Sequence, residues 1–258
     1  VKLATWNVNS LRVRIPHLER WVAAARPDVV CLQETKSEDA VFPLDAVRAL
    51  GFLHVAFWGE RTYNGVAILS RTPIEGVTRG LSDDGRDEQA RLIAGVVDGV
   101  RVVNCYVPNG QEVGSEKFAY KLAWLEQLRA FLDRWATPDD PLAVVGDFNI
   151  APGEADVWDP FQCAGQLLFH PDEHARLAAV LGFGLTDAFR AKQPFASQFT
   201  WWDYRARGFA RNQGMRIDHL FVTAPLLARC TGVQIARDVR GWTQPSDHVP
   251  VTATFRDP

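Results

Sequence analysis

The sequence predicts an α/β fold: mixed β-sheets packed face to face, with helices on the outside. Three observations carry that expectation. Short apolar, β-branched runs alternate with stretches of helical spacing. Several runs come in closely spaced pairs, as hairpins do, which favours mixed over purely parallel sheets. The strand–helix–strand opening also fits a doubly wound nucleotide-binding sheet, but the Gly-rich turn of that fold is missing.

Taken in order, residues 3–6 form an apolar run that ends in Asn7. Ile15, Leu18, Val22 and Ala25 then repeat at helical spacing, with Pro16 suited to a first turn. Residues 29–32 run into Gln33 and Glu34. Residues 66–70 and 74–78 read as one strand pair, and residues 92–97 and 100–107 as another, turned by Asp98-Gly99. Phe118, Leu122, Leu125, Leu128, Leu132 and Trp135 mark the clearest helix, from Gly114-Ser115 to near Pro138. Residues 142–146 lead into Asp147-Phe148-Asn149, and a helical stretch from Asp172 to Leu181 stops at Gly182. Two later runs begin polar: Asp218 precedes residues 220–222, and Ser246-Asp247-His248 precede residues 249–251. If the first runs rise and the last two descend, Asn7, Glu34, Tyr106, Asp147, Asp218 and His248 meet at one edge. No low-complexity tract or Ser/Gly linker divides residues 1–258, which reads as one catalytic domain.

Composition is that of an ordinary globular chain, 47% hydrophobic and 23% charged, so a packed core is expected. A net charge of −3 argues against coating nucleic acid by bulk electrostatics, though not against a local basic face. No apolar stretch is long enough to span a bilayer and no leader is visible, so the expected place is the cytoplasm. Cys31, Cys105, Cys163 and Cys230 show no CxxC pairing and read as buried thiols. Most of the nine tryptophans belong to the core.

The polar residues at the strand ends suit a hard cation and a phosphate. Mg²⁺ takes oxygen ligands, usually one or two carboxylates beside substrate phosphate. Glu34, Asp147 and an Asn amide are the right donor types, and Asn149 and Asp147, two apart on an extended segment, are expected to share a face. Asn7 and Asn9 repeat that spacing, a faint internal echo too short to argue a duplication. Gly146 lets another backbone approach closely. His248 follows Asp247 and has Asp218 available to orient it, which favours a catalytic histidine over a surface one. His170 and His174 have zinc-like spacing but lack a third ligand, and His17, His54 and His219 read as structural. Residues 199–211 interleave aromatics with Arg205, Arg207 and Arg211; alone they read as an edge strand with a solvated loop, but beside a metal and phosphate site a nucleic-acid face is the favoured reading.

Six ordered motifs resemble the exonuclease III-type apurinic/apyrimidinic endonucleases of the endonuclease/exonuclease/phosphatase superfamily. They are Trp6-Asn7-Val8-Asn9-Ser10-Leu11-Arg12, Leu32-Gln33-Glu34-Thr35-Lys36, Tyr106-Val107-Pro108-Asn109-Gly110, Gly146-Asp147-Phe148-Asn149-Ile150, Arg216-Ile217-Asp218-His219 and Ser246-Asp247-His248. The resemblance implies a four-layered α/β sandwich, two packed mixed sheets flanked by helices. It implies cleavage 5′ to abasic sites in duplex DNA, with trimming of 3′ ends. Glu34 looks like the principal metal ligand, helped by Asn7 and Asp247, for Mg²⁺ with Mn²⁺ as the alternative ion. Asp147 looks like the base that activates water, aligned by Asn149. Tyr106 and His248 look like phosphate contacts, and Asp218 like the group that orients His248. On the DNA side the resemblance puts Asn9 near the metal, where some members carry Asp, Asn109 on the target phosphate, Arg12 on the duplex, and Trp201 and Met215 in the pocket for the base-free sugar, with a place on the nucleoid when DNA is bound. Met215 stands where other members carry Trp or Leu, and Glu112 where some place an arginine against DNA. No long N-terminal extension is expected, nor an obligate protein partner or a membrane; the chain is expected to act as a monomer.

Two rival readings follow from the same residues. One is a superfamily phosphodiesterase or phosphatase acting on a lipid or inositol phosphate; the other is a silent nucleic-acid-binding relative. The second predicts loss of at least one of Glu34, Asp147, Asn149, Asp218, Asp247 or His248, and all are present.

Overall fold

The computed structural model describes residues 1–82 and 89–257. The strands are β1 (Lys2–Asn7), β2 (Val29–Gln33), β3 (His54–Trp58), β4 (Val66–Ser70), β5 (Glu75–Arg79), β6 (Leu92–Val97), β7 (Val100–Tyr106), β8 (Leu142–Asp147), β9 (Leu185–Asp187), β10 (Asp218–Thr223), β11 (Cys230–Ile235) and β12 (Val251–Phe255). The helices are α1 (Leu11–Ala25), α2 (Leu44–Ala49), α3 (Glu116–Trp135), α4 (Pro160–Cys163), α5 (Pro171–Leu181), α6 (Ala188–Lys192) and α7 (Ala224–Arg229).

Two six-stranded mixed sheets result, one ordered β11-β12-β1-β2-β4-β3 and the other β5-β6-β7-β8-β10-β9. Alternation along each strand explains why they stack. Leu3, Val29, Cys31 and Ile68 of the first sheet meet Val102, Ala143, Val145 and Leu220 of the second in one buried cluster. The intervening residues face outward. Ala4, Trp6, Val30 and Leu32 pack under Leu18, Trp21 and Val22 of α1, and Val103, Cys105 and Val144 pack under Trp124, Leu125 and Leu128 of α3 with Leu177 of α5. Helix, sheet, sheet and helix make the four layers. Each fully buried aliphatic side chain contributes about 1.5–3 kcal/mol relative to exposure.

Helix α3 opens on Ser115, whose hydroxyl accepts from the Phe118 N–H, and α5 opens on a reciprocal cap between His170 and Glu173. Helix α1 starts at Leu11, so Pro16 lies inside it rather than in its first turn. The residue 66–70 and 74–78 pair is not a hairpin. Strands β4 and β5 lie in different sheets, and the Thr72-Pro73 link crosses between them. The Asp98-Gly99 hairpin does form, joining β6 to β7 with Val97 opposite Val100.

Topology then places the site. β1 and β2 run parallel in one sheet, as do β7 and β8 in the other, while β12 and β10 run antiparallel to them. The polar ends therefore gather at one edge, but of two stacked sheets. All four cysteines are buried free thiols, and no helix among the described residues is long and apolar enough to cross a membrane.

Candidate active site

The two sheets are stitched together at this edge by Asn7. From the end of β1 its Nδ2 donates to Glu34 Oε1 at 2.8 Å and to Asp147 Oδ2 at 2.9 Å. Its Oδ1 is occupied by the Asn9 N–H at 3.0 Å. Asp147 does the same at the end of β8, accepting the Asn149 N–H on Oδ1 at 2.9 Å. Asn9 (φ 44) and Asn149 (φ 50) are both left-handed, a conformation Asn tolerates better than other side chains. The sequence echo is thus one turn made twice. It also replaces the extended Asp-x-Asn segment expected above: Asn149 reaches Asp147 by folding back, not by sharing a strand face.

Gly146 makes this crossing tight. A Cβ there would lie 1.9 Å from the Cys105 carbonyl oxygen of β7, and its φ is +141.

Glu34, Asp147 and His248 each offer a ligand atom within 4.8 Å of the others. His248 Nε2 faces Asp147 Oδ2 at 3.7 Å, and its Nδ1 lies 2.9 and 3.1 Å from the two oxygens of Asp218. Burial opposes a charged imidazole, yet Asp218, then Asp147 and Asp247, raise His248 to about 10. Burial pushes Asp147 above the carboxylate range, against the nearby His248 charge. Burial, then the neighbouring Glu34 and Asp147 charges, raises the Tyr106 phenol, so it stays a donor. The arrangement combines an oxygen donor set, a cationic imidazole and a neutral phenol around one point.

Asp247 stands beside this trio. Its Oδ1 accepts from Asn9 Nδ2 at 3.1 Å and its Oδ2 from Trp201 Nε1 at 3.0 Å. Burial works against its charge, but His248 and these two donors hold it below its ordinary value. Asn109 Nδ2 donates to Asn149 Oδ1 at 3.1 Å, so it too belongs to the cluster.

Residues 199–211 form no regular strand. Trp201 bridges singly to Met215 and to His248, and Met215 bridges to Val157. Trp201 and Met215 therefore form a half-buried apolar wall next to His248, joined by Val157, Leu168 and Ile217. Beyond it Arg205–Arg207 makes a 3₁₀ turn; Arg205, Arg207 and Arg211 are exposed, with Arg205 Nε 3.2 Å from Asp203. Arg12 is drawn elsewhere, its guanidinium donating to the Val41 carbonyl at 2.8 Å.

Four features escaped the sequence reading. Lys36, two residues past Glu34, places its ammonium 3.2 Å from Glu34 Oε2 and 2.6 Å from Asn9 Oδ1. Lys121 is fully buried. Arg91 lies over the Tyr106 ring at 4.7 Å. A cleft of about 550 Å³ opens from Glu34 and Tyr106, with Arg61, Tyr63, Arg91 and Lys117 on its walls. The Leu32-Gln33-Glu34-Thr35-Lys36 run gave the one available signal for Lys36. His170 and His174 are structural: His170 caps α5, and His174 Nε2 bonds the Ala151 carbonyl at 2.8 Å. His219 is buried against Arg216 and the Ile150 carbonyl.

The profile of the endonuclease/exonuclease/phosphatase family matches residues 4–248. An exodeoxyribonuclease III of Haemophilus influenzae is 35% identical over 99% of this chain and all of that protein. Among solved structures, the 3′ phosphatase NExo of Neisseria bound to a product DNA hairpin superposes with a TM-score of 0.95 at 40% identity, covering 99% of each chain. An AP endonuclease of Archaeoglobus fulgidus gives 0.94 at 37% identity, again over 99% of each chain.

Proposed function

Because the chain belongs to the endonuclease/exonuclease/phosphatase family and is an enzyme of the exonuclease III/AP endonuclease type, we propose that it is a metal-dependent DNA repair phosphodiesterase. It incises duplex DNA 5′ to abasic sites and trims 3′ ends as a 3′–5′ exonuclease and 3′ phosphatase. The observation that carries the reading is the meeting of Glu34, Asp147 and His248, with Asp218 behind the imidazole.

The donor chemistry fits a hard cation. Glu34 beside Asp147 offers carboxylate oxygens, whereas Asn7 turns its NH₂ toward both and so orients them. A bound Mg²⁺, or Mn²⁺ in its place, would neutralise charge on the phosphoryl oxygens and on the departing oxygen. Asp147 accepts a proton from the attacking water as the water oxygen bonds to phosphorus and the bond to the 3′ oxygen breaks. A base so placed is worth about 10²–10⁴-fold. Asn149 holds Asp147 through its backbone N–H and lends its amide to the same carboxylate. His248, kept cationic by Asp218, and the Tyr106 hydroxyl donate to the phosphate. Asn109 contacts the same phosphate.

Asp247 fixes Trp201 and Asn9, and so the wall where the base-free sugar enters against Trp201 and Met215. Arg205, Arg207 and Arg211 meet the duplex backbone on that side. Arg61 and Lys117 meet it across the cleft on the other. The chain acts as one catalytic unit, without an obligate partner, in the cytoplasm where genomic DNA and a reducing environment coincide.

A product map on a duplex carrying one abasic site tests this. The expected result is a first incision 5′ to the abasic site, leaving a 3′ hydroxyl end that is then shortened, with both steps abolished by EDTA. EDTA-resistant cleavage, or turnover only on lipid or inositol phosphates, contradicts it.

A further inference from the structure

Helix α3 covers the outer face of the second sheet with Trp124, Leu125 and Leu128, all apolar and buried, while the buried Phe118 packs edge-on against His170. Lys121 sits among them with no exposure at all. Lysine is almost never fully buried unless paired, and a Met or Leu would fill such a position without burying charge. The burial therefore calls for a specific reason, and the three donors of its ammonium supply one. Nζ pairs with Glu173, donates to the Asn149 carbonyl at 2.6 Å and donates to the Asn109 carbonyl at 3.1 Å. All three N–H groups are used.

Both carbonyls belong to residues whose side chains are in the active site. The left-handed turn at Asn149 is gripped from its amide by Asp147 Oδ1 and from its carbonyl by Lys121. Asn109 is gripped by its carbonyl and passes the restraint on, since its Nδ2 donates to Asn149 Oδ1. Glu173 is itself fixed, because Oε2 accepts the His170 N–H in the cap of α5. Gly110 leaves room for the lysine stem, for a Cβ there would lie 3.1 Å from Lys121 Cδ.

We propose that Lys121 is a positioning residue: its buried ammonium, neutralised by Glu173, locks the turns that hold Asn109 at the reacting phosphate and Asn149 on the Asp147 carboxylate. The role rests on the phosphodiesterase reading above. It acts through geometry, because Lys121 touches neither substrate nor Asp147.

The test compares Lys121→Met with Glu173→Gln, whose single amide oxygen keeps the acceptor for the His170 N–H and gives up the one for Lys121, leaving the lysine only its two carbonyl acceptors. Single-turnover cleavage of abasic duplex, DNA affinity in EDTA and the thermal midpoint are measured on each. Lys121→Met should lose at least about tenfold in cleavage rate with affinity changed less than about twofold, as expected when a catalytic group is misplaced by a fraction of an ångström. Glu173→Gln should lose thermal stability yet keep its rate within about threefold. If the rates of both variants fall in step with stability, or Lys121→Met cleaves at the wild-type rate, the proposal is overturned. Should Lys121→Met not fold, the double variant, which buries no charge, replaces it under the same expectations. The Asn149 side-chain NH₂ resonances give an independent readout. They should broaden in Lys121→Met and not in Glu173→Gln; unchanged resonances overturn the proposal. If the wild-type protein fails to cleave DNA, the phosphodiesterase reading falls while this readout still judges the turn.

Discussion

Replacing Asp218 with Asn removes one charge and little else, and its consequence should depend on pH. Both Asp218 oxygens lie within 3.1 Å of His248 Nδ1, and both side chains are buried. Burial alone would drive His248 below 6.5, and Asp218 is the foremost of the groups that instead raise it to about 10. With Asp218 present the imidazole is cationic across the working range. If the whole elevation were lost, the protonated fraction would be about one half near pH 6.5 and about 3% near pH 8. The rate deficit should therefore grow from about twofold to a ceiling of about 30-fold between those values. Asp147 and Asp247 remain in the variant and keep the deficit below that ceiling. Single-turnover cleavage of an abasic duplex across this range reads it out. A deficit that is flat with pH, or that shrinks as pH rises, would falsify the assignment of His248 as a cation held by Asp218.

Three further outcomes follow from other parts of the molecule. His219 is buried against Arg216, and burial and then that charge lower its pKa to about 4. The unfolded chain binds the extra proton, so the stability is complete above about 6.5 and lost as pH falls toward 4, about 3 kcal/mol in all. Urea midpoints of the wild type and His219→Gln should diverge in that window, and parallel curves would count against it. Removing Arg205, Arg207 and Arg211 together should weaken DNA binding and flatten its logarithmic salt slope by up to about 3; an unchanged slope puts the basic face elsewhere. Gly146→Ala should cost more than about 3 kcal/mol, since its Cβ meets backbone rather than a movable side chain; a wild-type thermal midpoint would contradict the close crossing of β7 and β8.

The parts of the fold written locally were legible from the chain. Helix α3 carries both its apolar spacing and its Ser115 cap, and the β6–β7 hairpin carries its Asp-Gly turn. Strand ends such as Glu34 and Asp147 could be picked out because an apolar run stops abruptly at a carboxylate. What periodicity does not encode is the choice of sheet. Nothing in residues 66–78 distinguishes a hairpin from a crossing between layers, so apolar patterning alone pairs β4 with β5. The turn conformation at Asn9 and Asn149 was equally hidden, because an Asp-x-Asn spacing fits a strand face and a folded-back turn alike. Lys121 shows a third limit: a lysine within an amphipathic helix looks solvated until α5 brings Glu173 over it. Arg12 fell within a motif, but its guanidinium reaches Val41 rather than the site.

Diffraction at the manganese absorption edge, from crystals grown with Mn²⁺ and an incised abasic duplex, tests the central claim most directly. The expected result is an ion bonded to the Glu34 carboxylate, with the product phosphate between that ion and the His248 imidazole. An ion bound away from Glu34, or a phosphate out of reach of His248, would contradict it.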